Sequence, residues 1–206
     1  MPCALRGEYF IGVLIKMGAR KKIEVILEEN RRLLSTIKDR HITDLVEKMD
    51  RASNIFCFAM GRSGFVLRCF SMRLMHLRYP VYYVGETITP KIRSGDLLIV
   101  LSGSGESGLT HHVALLAKKE GATTYGVVGS IDSRIARVVD HVLCLPGGSK
   151  TNFPGDIPSV QPAGSLFEQG AFLFFEAIIL EIYHQHGSNL EAMLRHHANL
   201  QLLYKT

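Results

Sequence analysis

The chain has 206 residues, of which 47% are hydrophobic and 21% are charged, a composition that is typical of one globular domain with a sizeable core and argues against disorder. The formal net charge is +5, yet the basic residues are scattered over helical segments apart from Arg20-Lys21-Lys22, so we expect no nucleic-acid partner. The excess of positive charge does favour anionic ligands.

The amino-terminal part of the chain predicts two helices. Residues 1–16 show little periodicity, which is typical of a flexible extension or of a misplaced start. Their apolar stretch, residues 10–15, is shorter than a signal-peptide core, so we predict neither export nor a membrane span. Apolar residues recur near helical spacing over residues 17–38 and again over residues 43–51. We therefore predict a helical arm over residues 17–51 that covers one face of a sheet or packs on another subunit.

Strands and helices alternate in the core that follows, residues 52–206, and we treat residues 1–206 as one domain. Short continuous apolar runs predict strands that are buried on both faces, at residues 55–59, 81–84, 97–101, 123–128 and 142–145. Helices are predicted between them, at residues 65–77, 109–120 and 133–138. This alternation is typical of a parallel α/β sandwich.

The composition changes after residue 145. A loop rich in Pro and Gly runs to Gly164 and is longer than compact domains usually carry without a binding or lid role. Ser165 is predicted to N-cap a helix over residues 166–185, with Glu168 in a capping-box position. Because that helix is apolar on nearly all sides, we expect it in the core or in a subunit interface. A last helix is predicted over residues 190–203.

The four cysteines stand at positions 3, 57, 69 and 144 without a CxxC pair. This spacing argues against both a metal site and a disulfide framework. We expect reduced, buried thiols in a cytoplasmic protein.

The stretch Ser102-Gly103-Ser104-Gly105-Glu106-Ser107 joins a predicted strand to a predicted helix. Two glycines allow close backbone approach, three hydroxyls can donate hydrogen bonds, and the helix start offers free amides, a combination that suits a phosphate. The alternative is a tight turn in which Ser107 caps the helix. The pattern matches neither GxGxxG nor the P-loop, which disfavours dinucleotides and nucleoside triphosphates.

A second turn, Gly61-Arg62-Ser63-Gly64, follows another strand and should lie at the same edge of the sheet. The Arg62 guanidinium would suit a phosphate, although it could equally be a surface charge. Glu106 is unexpected in an anion site, and the sequence leaves open whether it points outward or contacts sugar hydroxyls. The candidate substrate-binding residues are Gly61, Arg62, Ser63, Ser102, Gly103, Ser104 and Ser107.

Several segments together carry a family resemblance. They are Ala59-Met60-Gly61-Arg62-Ser63-Gly64, Arg73-Leu74-Met75-His76-Leu77, Val84-Gly85-Glu86-Thr87, Ser102-Gly103-Ser104-Gly105-Glu106, Gln161-Pro162-Ala163-Gly164-Ser165-Leu166-Phe167-Glu168-Gln169 and His197-Ala198-Asn199-Leu200. These segments resemble, in order, the motifs of the 6-phospho-3-hexuloisomerase family, which has the sugar isomerase (SIS) fold. The resemblance covers residues 20–206, and its stretch from Gln161 to Gln169 is much more specific than a Gly-rich turn.

The resemblance implies a three-layer sandwich in which helices flank a five-stranded parallel sheet. It also implies a homo-oligomer, a tetramer or a dimer, with sites near subunit interfaces and with neither metal nor cofactor. Its substrate would be a phosphorylated ketohexose. The family interconverts 3-hexulose 6-phosphate and fructose 6-phosphate in the ribulose monophosphate pathway, after formaldehyde has been condensed with ribulose 5-phosphate. One carboxylate and one polarising acid suffice for such a reaction through an enediolate.

Two catalytic residues are implied. Glu168 lies in the first turn of an apolar helix that can shield it from water, and the family match favours it as the base over the capping role. The family's C-terminal Arg-His-Ala-Asn-Leu-Glu motif matches residues 196–201, with His196 for Arg and Gln201 for Glu. These departures bear on local pairing and substrate preference, but His197 is retained. In related sugar isomerases a histidine near the chain's end reaches a neighbouring subunit's site.

Two other functions fit the same fold. A phosphosugar-binding regulator would carry a DNA-binding module, for which the amino-terminal helices offer no concentrated basic recognition helix. An aldose-ketose isomerase acting on arabinose 5-phosphate or a phosphoheptose would differ in the stretch from Gln161 to Gln169.

Overall fold

The computed structural model describes residues 17–148, 155–185, 187 and 190–197. The predicted features at residues 1–16, Asn199 and Gln201 lie outside them. The helices within these residues are α1 (Ala19–Leu34), α2 (Asp39–Arg51), α3 (Gly61–His76), α4 (Gly108–Lys119), α5 (Arg134–Val138), α6 (Ser165–Gln185) and α7 (Leu190–Leu194). The strands are β1 (Ile55–Ala59), β2 (Val81–Tyr83), β3 (Leu97–Ser102), β4 (Thr123–Val128) and β5 (His141–Cys144).

The strands form one five-stranded sheet in the order β2-β1-β3-β4-β5, and every neighbouring pair is parallel. Helices cover both faces, so the predicted three-layer sandwich is confirmed. In the register of β1 and β3, Ala59 pairs with Leu101. The loops that leave these two strands therefore start side by side at the same edge, where parallel sheets hold their ligands.

Alternate residues of each strand enter two separate cores. On one side, Ile55 and Cys57 of β1 pack among residues of α1, α2, α3 and α6. On the other side, Phe56 and Phe58 pack among residues of α4 and α5. This is why β1 is apolar at every position, since consecutive side chains point to opposite faces and both faces are covered. Burial of a side chain such as Phe70 contributes on the order of 2 kcal/mol to the stability of the folded protein.

The helical arm lies on the larger core. Leu33 of α1 and Leu45 and Met49 of α2 are buried in it, and both helices pack against α6. Leu33 comes so close to two glycines that a Cβ atom on Gly170 or Gly147 would lie 2.4 or 2.9 Å from its Cδ2 atom. Small residues at these positions let α1 sit directly on α6. None of the described helices is long and apolar enough to cross a bilayer.

Some predicted boundaries are wrong. The second helix begins at Asp39 rather than Thr43, because extended Lys38 caps it and the Lys38 backbone N–H donates to His41 Nδ1 at 3.1 Å. The third helix begins at Gly61, so the predicted turn is its first turn; Gly61 enters it with φ +61°, a conformation that glycine adopts without strain. The described part of the last helix ends at Leu194, and residues 198–203 of the prediction lie outside the described chain.

The expectation of buried thiols holds only in part. Cys57 is buried, Cys144 is half-buried and Cys69 is exposed, and all three are free. Cys69 lies on α3, whose outer side faces away from the sheet. Its position within an amphipathic helix rather than a strand accounts for the difference.

Candidate active site

A cavity of about 220 Å³ lies at the carboxyl ends of β1 and β3. Its walls come from three segments: the start of α3, the turn between β3 and α4, and the start of α6. It is lined by Met60, Gly61, Arg62, Ser63, Leu101, Ser102, Gly103, Ser104, Ser107, Thr110, Gly164, Phe167 and Glu168. The structure thus brings every candidate substrate-binding residue into one cavity with Glu168.

The turn between β3 and α4 is held by its own hydroxyl groups. Ser102 Oγ accepts a hydrogen bond from the Gly105 N–H at 3.1 Å, and Ser104 Oγ accepts one from the Glu106 N–H at 3.2 Å. The first intrahelical bond of α4 runs from the His111 N–H to the Ser107 carbonyl. The amides that precede it have no partner within the helix, so they can bind an anion.

Thr110 orients the hydroxyl group of Ser107. Thr110 is fully buried, and its Oγ1 donates to Ser107 Oγ at 3.0 Å. Because Ser107 accepts this bond, its own proton can point to a ligand in the cavity. Thr110 is not among the residues predicted from the sequence, although the three-residue spacing on one helix face could have indicated the contact.

Glu106 points away from the cavity. Its Oε1 accepts a hydrogen bond from the Arg134 backbone N–H at 2.9 Å, at the start of α5. A second bond joins the Ile135 N–H to the Gly105 carbonyl at 3.0 Å. A carboxylate in this turn is therefore compatible with an anion site, because it neutralises the end of another helix. The same contacts fix the back of the turn to α5.

Gly103 allows the turn to rest on α6. A Cβ atom at this position would lie 3.0 Å from Cδ1 of the Phe167 ring. Such a contact is tighter than side chains normally make, so a larger residue would displace the ring or the turn. The close approach of the phosphate-binding candidate and the helix that carries Glu168 depends on this glycine.

Arg62 contacts the start of α6. Its Nε atom lies 3.0 Å from Glu168 Oε2, and its Nη1 donates to Ser165 Oγ at 3.1 Å. The Glu168 side chain is only 13% exposed, whereas that of Arg62 is 63% exposed. Ser165 is the first residue of α6 and not its N-cap, since the Glu168 N–H bonds to the carbonyl of Gly164. The predicted N-cap at Ser165 is therefore wrong.

The start of α3 is fixed by Tyr83, which is likewise not among the residues predicted from the sequence. The Tyr83 hydroxyl donates to the Ala59 carbonyl at 2.8 Å and accepts from the Ala59 N–H at 3.2 Å. A Cβ atom on Gly64 would lie 2.9 Å from the same carbonyl, so only glycine fits there. Buried Ser63 thereby lines the cavity beside Arg62.

His197 lies elsewhere in the chain's own structure. Its ring stacks on that of His76 with centroids 4.9 Å apart, at the last residue of α3. Since α3 rises by 1.5 Å per residue, His76 is about 21 Å along the helix from Arg62. The structure therefore does not bring His197 and Glu168 of one chain together. Burial lowers the pKa of His76 below its ordinary value, and the positive charges of His197 and Arg73 add to this effect.

The cavity can bind an anion at one wall and present a carboxylate at another. The hydroxyl and amide groups of the β3–α4 turn suit a phosphate, and Glu168 is a shielded carboxylate with a cation beside it. Among the described residues there is no group of three His, Cys, Asp or Glu side chains that could hold a metal ion. The predicted absence of a metal and of a cofactor remains a prediction.

Comparison with known proteins points to one family. A model of the SIS domain matches residues 48–168. The 3-hexulose-6-phosphate isomerase of Bacillus subtilis is 35% identical over 189 residues, which cover 90% of this chain and 100% of that protein. The protein of the same name from Mycobacterium gastri is 35% identical over 179 residues, covering 87% of this chain and 89% of its own length.

A solved structure agrees with these relatives. It is that of a Methanococcus jannaschii protein, from which a molecular function of 3-hexulose-6-phosphate isomerase was inferred. It matches this chain with a TM-score of 0.76 at 29% identity, covering 87% of this chain and 99% of that one.

Proposed function

The chain belongs to the SIS domain family, and we propose that it is a 3-hexulose-6-phosphate isomerase, which interconverts 3-hexulose 6-phosphate and fructose 6-phosphate. The observation that carries the proposal is the shared cavity of Glu168, Arg62 and the β3–α4 turn. Together they supply a shielded proton acceptor, a cation and a cluster of hydroxyl and amide groups that suits a phosphate. The identity to relatives of this name extends over most of the chain and favours this substrate over aldose phosphates.

The phosphate of the substrate binds to the turn between β3 and α4. Ser102, Ser104 and Ser107 donate from their hydroxyl groups, and the amides at the start of α4 add partial positive charge. Thr110 supports this role by orienting the Ser107 hydroxyl. Gly61, Ser63 and Gly103 leave room for the sugar chain and line the cavity near Glu168.

Glu168 transfers the proton. In 3-hexulose 6-phosphate the carbonyl is at C3, and Glu168 removes the proton from C2. The electron pair released forms an enediolate across C2 and C3. A proton then returns to C3, and the hydroxyl proton moves from O2 to O3, which leaves the carbonyl at C2. Arg62 supplies positive charge beside the carbon atoms where the enediolate charge develops.

A homo-oligomer, a tetramer or a dimer, completes the site. Support comes from exposed apolar side chains on three adjacent helices, α1, α3 and α6, including Leu27, Phe65 and Leu180. Phe65 alone is 71% exposed, and such a face favours burial against a second copy. Within that assembly His197 reaches the site of a neighbouring subunit and acts as the polarising acid. The enzyme works in the cytoplasm, in the ribulose monophosphate pathway of formaldehyde fixation.

A coupled assay tests this function. A hexulose phosphate synthase supplies 3-hexulose 6-phosphate from formaldehyde and ribulose 5-phosphate, and fructose 6-phosphate is then measured. We expect it to form only when both proteins are present, and we expect arabinose 5-phosphate to remain unconverted. Formation of no fructose 6-phosphate, or faster conversion of arabinose 5-phosphate, would overturn the proposal. Tight binding of fructose 6-phosphate without turnover would identify the protein as a phosphosugar-binding regulator.

A further inference from the structure

Glu29 is a buried carboxylate outside the cavity. It lies on α1, is 7% exposed, and its oxygen atoms accept hydrogen bonds from one short segment of the chain. Oε2 accepts from Ser159 Oγ at 2.6 Å and from Gln161 Nε2 at 2.9 Å, and Oε1 accepts from the Val160 backbone N–H at 2.8 Å. A buried carboxylate is costly unless it is well hydrogen-bonded, so the arrangement of these donors is specific.

The same segment is linked to α6 by two glutamines. Gln169 Nε2 donates to Gln161 Oε1 at 2.8 Å, and Gln169 Oε1 accepts from Asn30 Nδ2 at 2.6 Å. Asn30 follows Glu29 on α1, so the bonds form a closed ring through Glu29, Gln161, Gln169 and Asn30. Gln169 is the neighbour of Glu168 in the first turns of α6. The ring therefore joins α1, the segment before α6, and the part of α6 that carries the proton acceptor.

The segment held by Glu29 leads directly into the cavity wall. It ends at Gly164, which lines the cavity and whose N–H donates to the Gly148 carbonyl at 2.8 Å. Arg32 of α1 adds a bond from its Nη2 to the Pro158 carbonyl at 2.6 Å. The start of α6 is thus held from both sides, by α1 behind it and by Arg62 in front of it.

We propose that Glu29 is a positioning residue of the isomerase site, which fixes the segment before α6 and through it the Glu168 carboxylate. The inference rests on the proposed function for the role of Glu168. The hydrogen bonds of Glu29 go to Ser159, Val160 and Gln161, and none of them reaches a residue of the β3–α4 turn. Its contribution therefore falls on proton transfer and not on phosphate binding.

The Glu29→Gln variant separates these contributions. A glutamine has one oxygen acceptor, so the Ser159, Val160 and Gln161 donors cannot all keep their bonds. We expect kcat to fall about 10- to 100-fold, because small displacements of a reacting group are costly. KM should change less than roughly threefold, since the phosphate contacts are intact. Glu28→Gln is the matched control: Glu28 is the exposed neighbour that pairs with Arg31, and its loss should leave kcat unchanged.

Amide hydrogen exchange provides a readout that does not depend on activity. In Glu29→Gln the amide of Val160 should exchange at least about tenfold faster, while the amides of residues 103–107 keep their rates. Unchanged exchange at Val160, or a wild-type kcat in the folded variant, would overturn the proposal. Loss of thermal stability with a normal kcat would assign Glu29 a structural role only and would overturn it too. If the wild-type protein shows no isomerase activity, the proposed function fails. The exchange result still tests whether Glu29 fixes the segment before α6.

Discussion

The Arg62 guanidinium and the Glu168 carboxylate form an ion pair in the cavity, with Nε and Oε2 3.0 Å apart. The pair joins the first turn of α3 to the first turn of α6. Its two members are unequal, because Glu168 is largely shielded whereas most of the Arg62 side chain faces solvent. The exposed Arg62 side chain therefore has room to reorient towards an anion in the cavity, whereas the shielded carboxylate is confined.

Replacement of Glu168 by Gln tests the proton acceptor. The amide keeps the size of the side chain and loses its basicity, so we expect a fall in rate of roughly 100- to 10,000-fold. The variant should fold, assemble and bind fructose 6-phosphate, yet fail to exchange the C3 hydrogen of that sugar with deuterated solvent. Glu181→Gln, at an exposed site on the same helix, is the control that should stay active. Near-normal exchange together with a lowered Tm would show that Glu168 only stabilises the start of α6. His197 would then be tested as the base.

Replacement of Ser104 by Ala tests the phosphate site. Phosphate contacts contribute similarly to the ground state and the transition state, so KM should rise much more than kcat falls. Steady-state kinetics with fructose 6-phosphate measures both constants. Ser35→Ala removes an exposed hydroxyl at the end of α1 and should change neither constant. An unchanged KM in Ser104→Ala would remove Ser104 from the phosphate site.

Replacement of Thr110 by Val tests the orientation of Ser107. Valine fills nearly the same volume but cannot donate the 3.0 Å bond to Ser107 Oγ. The loss of one such bond is worth about 1 kcal/mol, which corresponds to a KM roughly fivefold higher. Thr110→Ser keeps the donor and should retain the wild-type KM. Equal constants for the Val and Ser variants would mean that Ser107 needs no orienting partner.

The buried ring of His76 predicts how stability depends on pH. Burial lowers its pKa in the folded protein, so the unfolded chain binds a proton more readily than the folded one. This contribution to stability is present above the unfolded pKa, about 6.5, and is lost as pH falls towards the folded pKa. Tm should thus decrease as pH falls below about 6.5, and less steeply in His76→Phe. An unchanged slope in that variant would contradict the prediction, and His184→Gln, at an exposed position, is its control.

The sheet is readily predicted from the sequence because every strand is covered on both faces. Each strand then reads as a short apolar run, as in β1 and β3, and helices with one polar face alternate with them. The turn between β3 and α4 is equally visible, since its chemistry is contained in consecutive residues. Helix starts are harder, because a glycine such as Gly61 can either break a helix or open one with positive φ.

The contacts that could not be predicted from the sequence join segments that are far apart along the chain. Arg62 meets Glu168 only because α3 packs against α6, and no local pattern indicates this. Glu29 and Asn30 lie in a run that predicts a solvated helix face, yet the segment around Ser159 covers Glu29 and Gln169 contacts Asn30. The position of His197 likewise depends on packing, in this case on the His76 ring.

The contact of Gly103 with the Phe167 ring limits which substitutions the cavity can accept. Phe167 and Glu168 are consecutive residues of one helical turn, so a side chain at position 103 that moves the ring also moves the carboxylate. A substitution at this position would therefore change the shape of the cavity and the position of the carboxylate together. An engineer seeking to admit a bulkier sugar phosphate would begin with other lining positions, such as Met60, and leave the glycine in place.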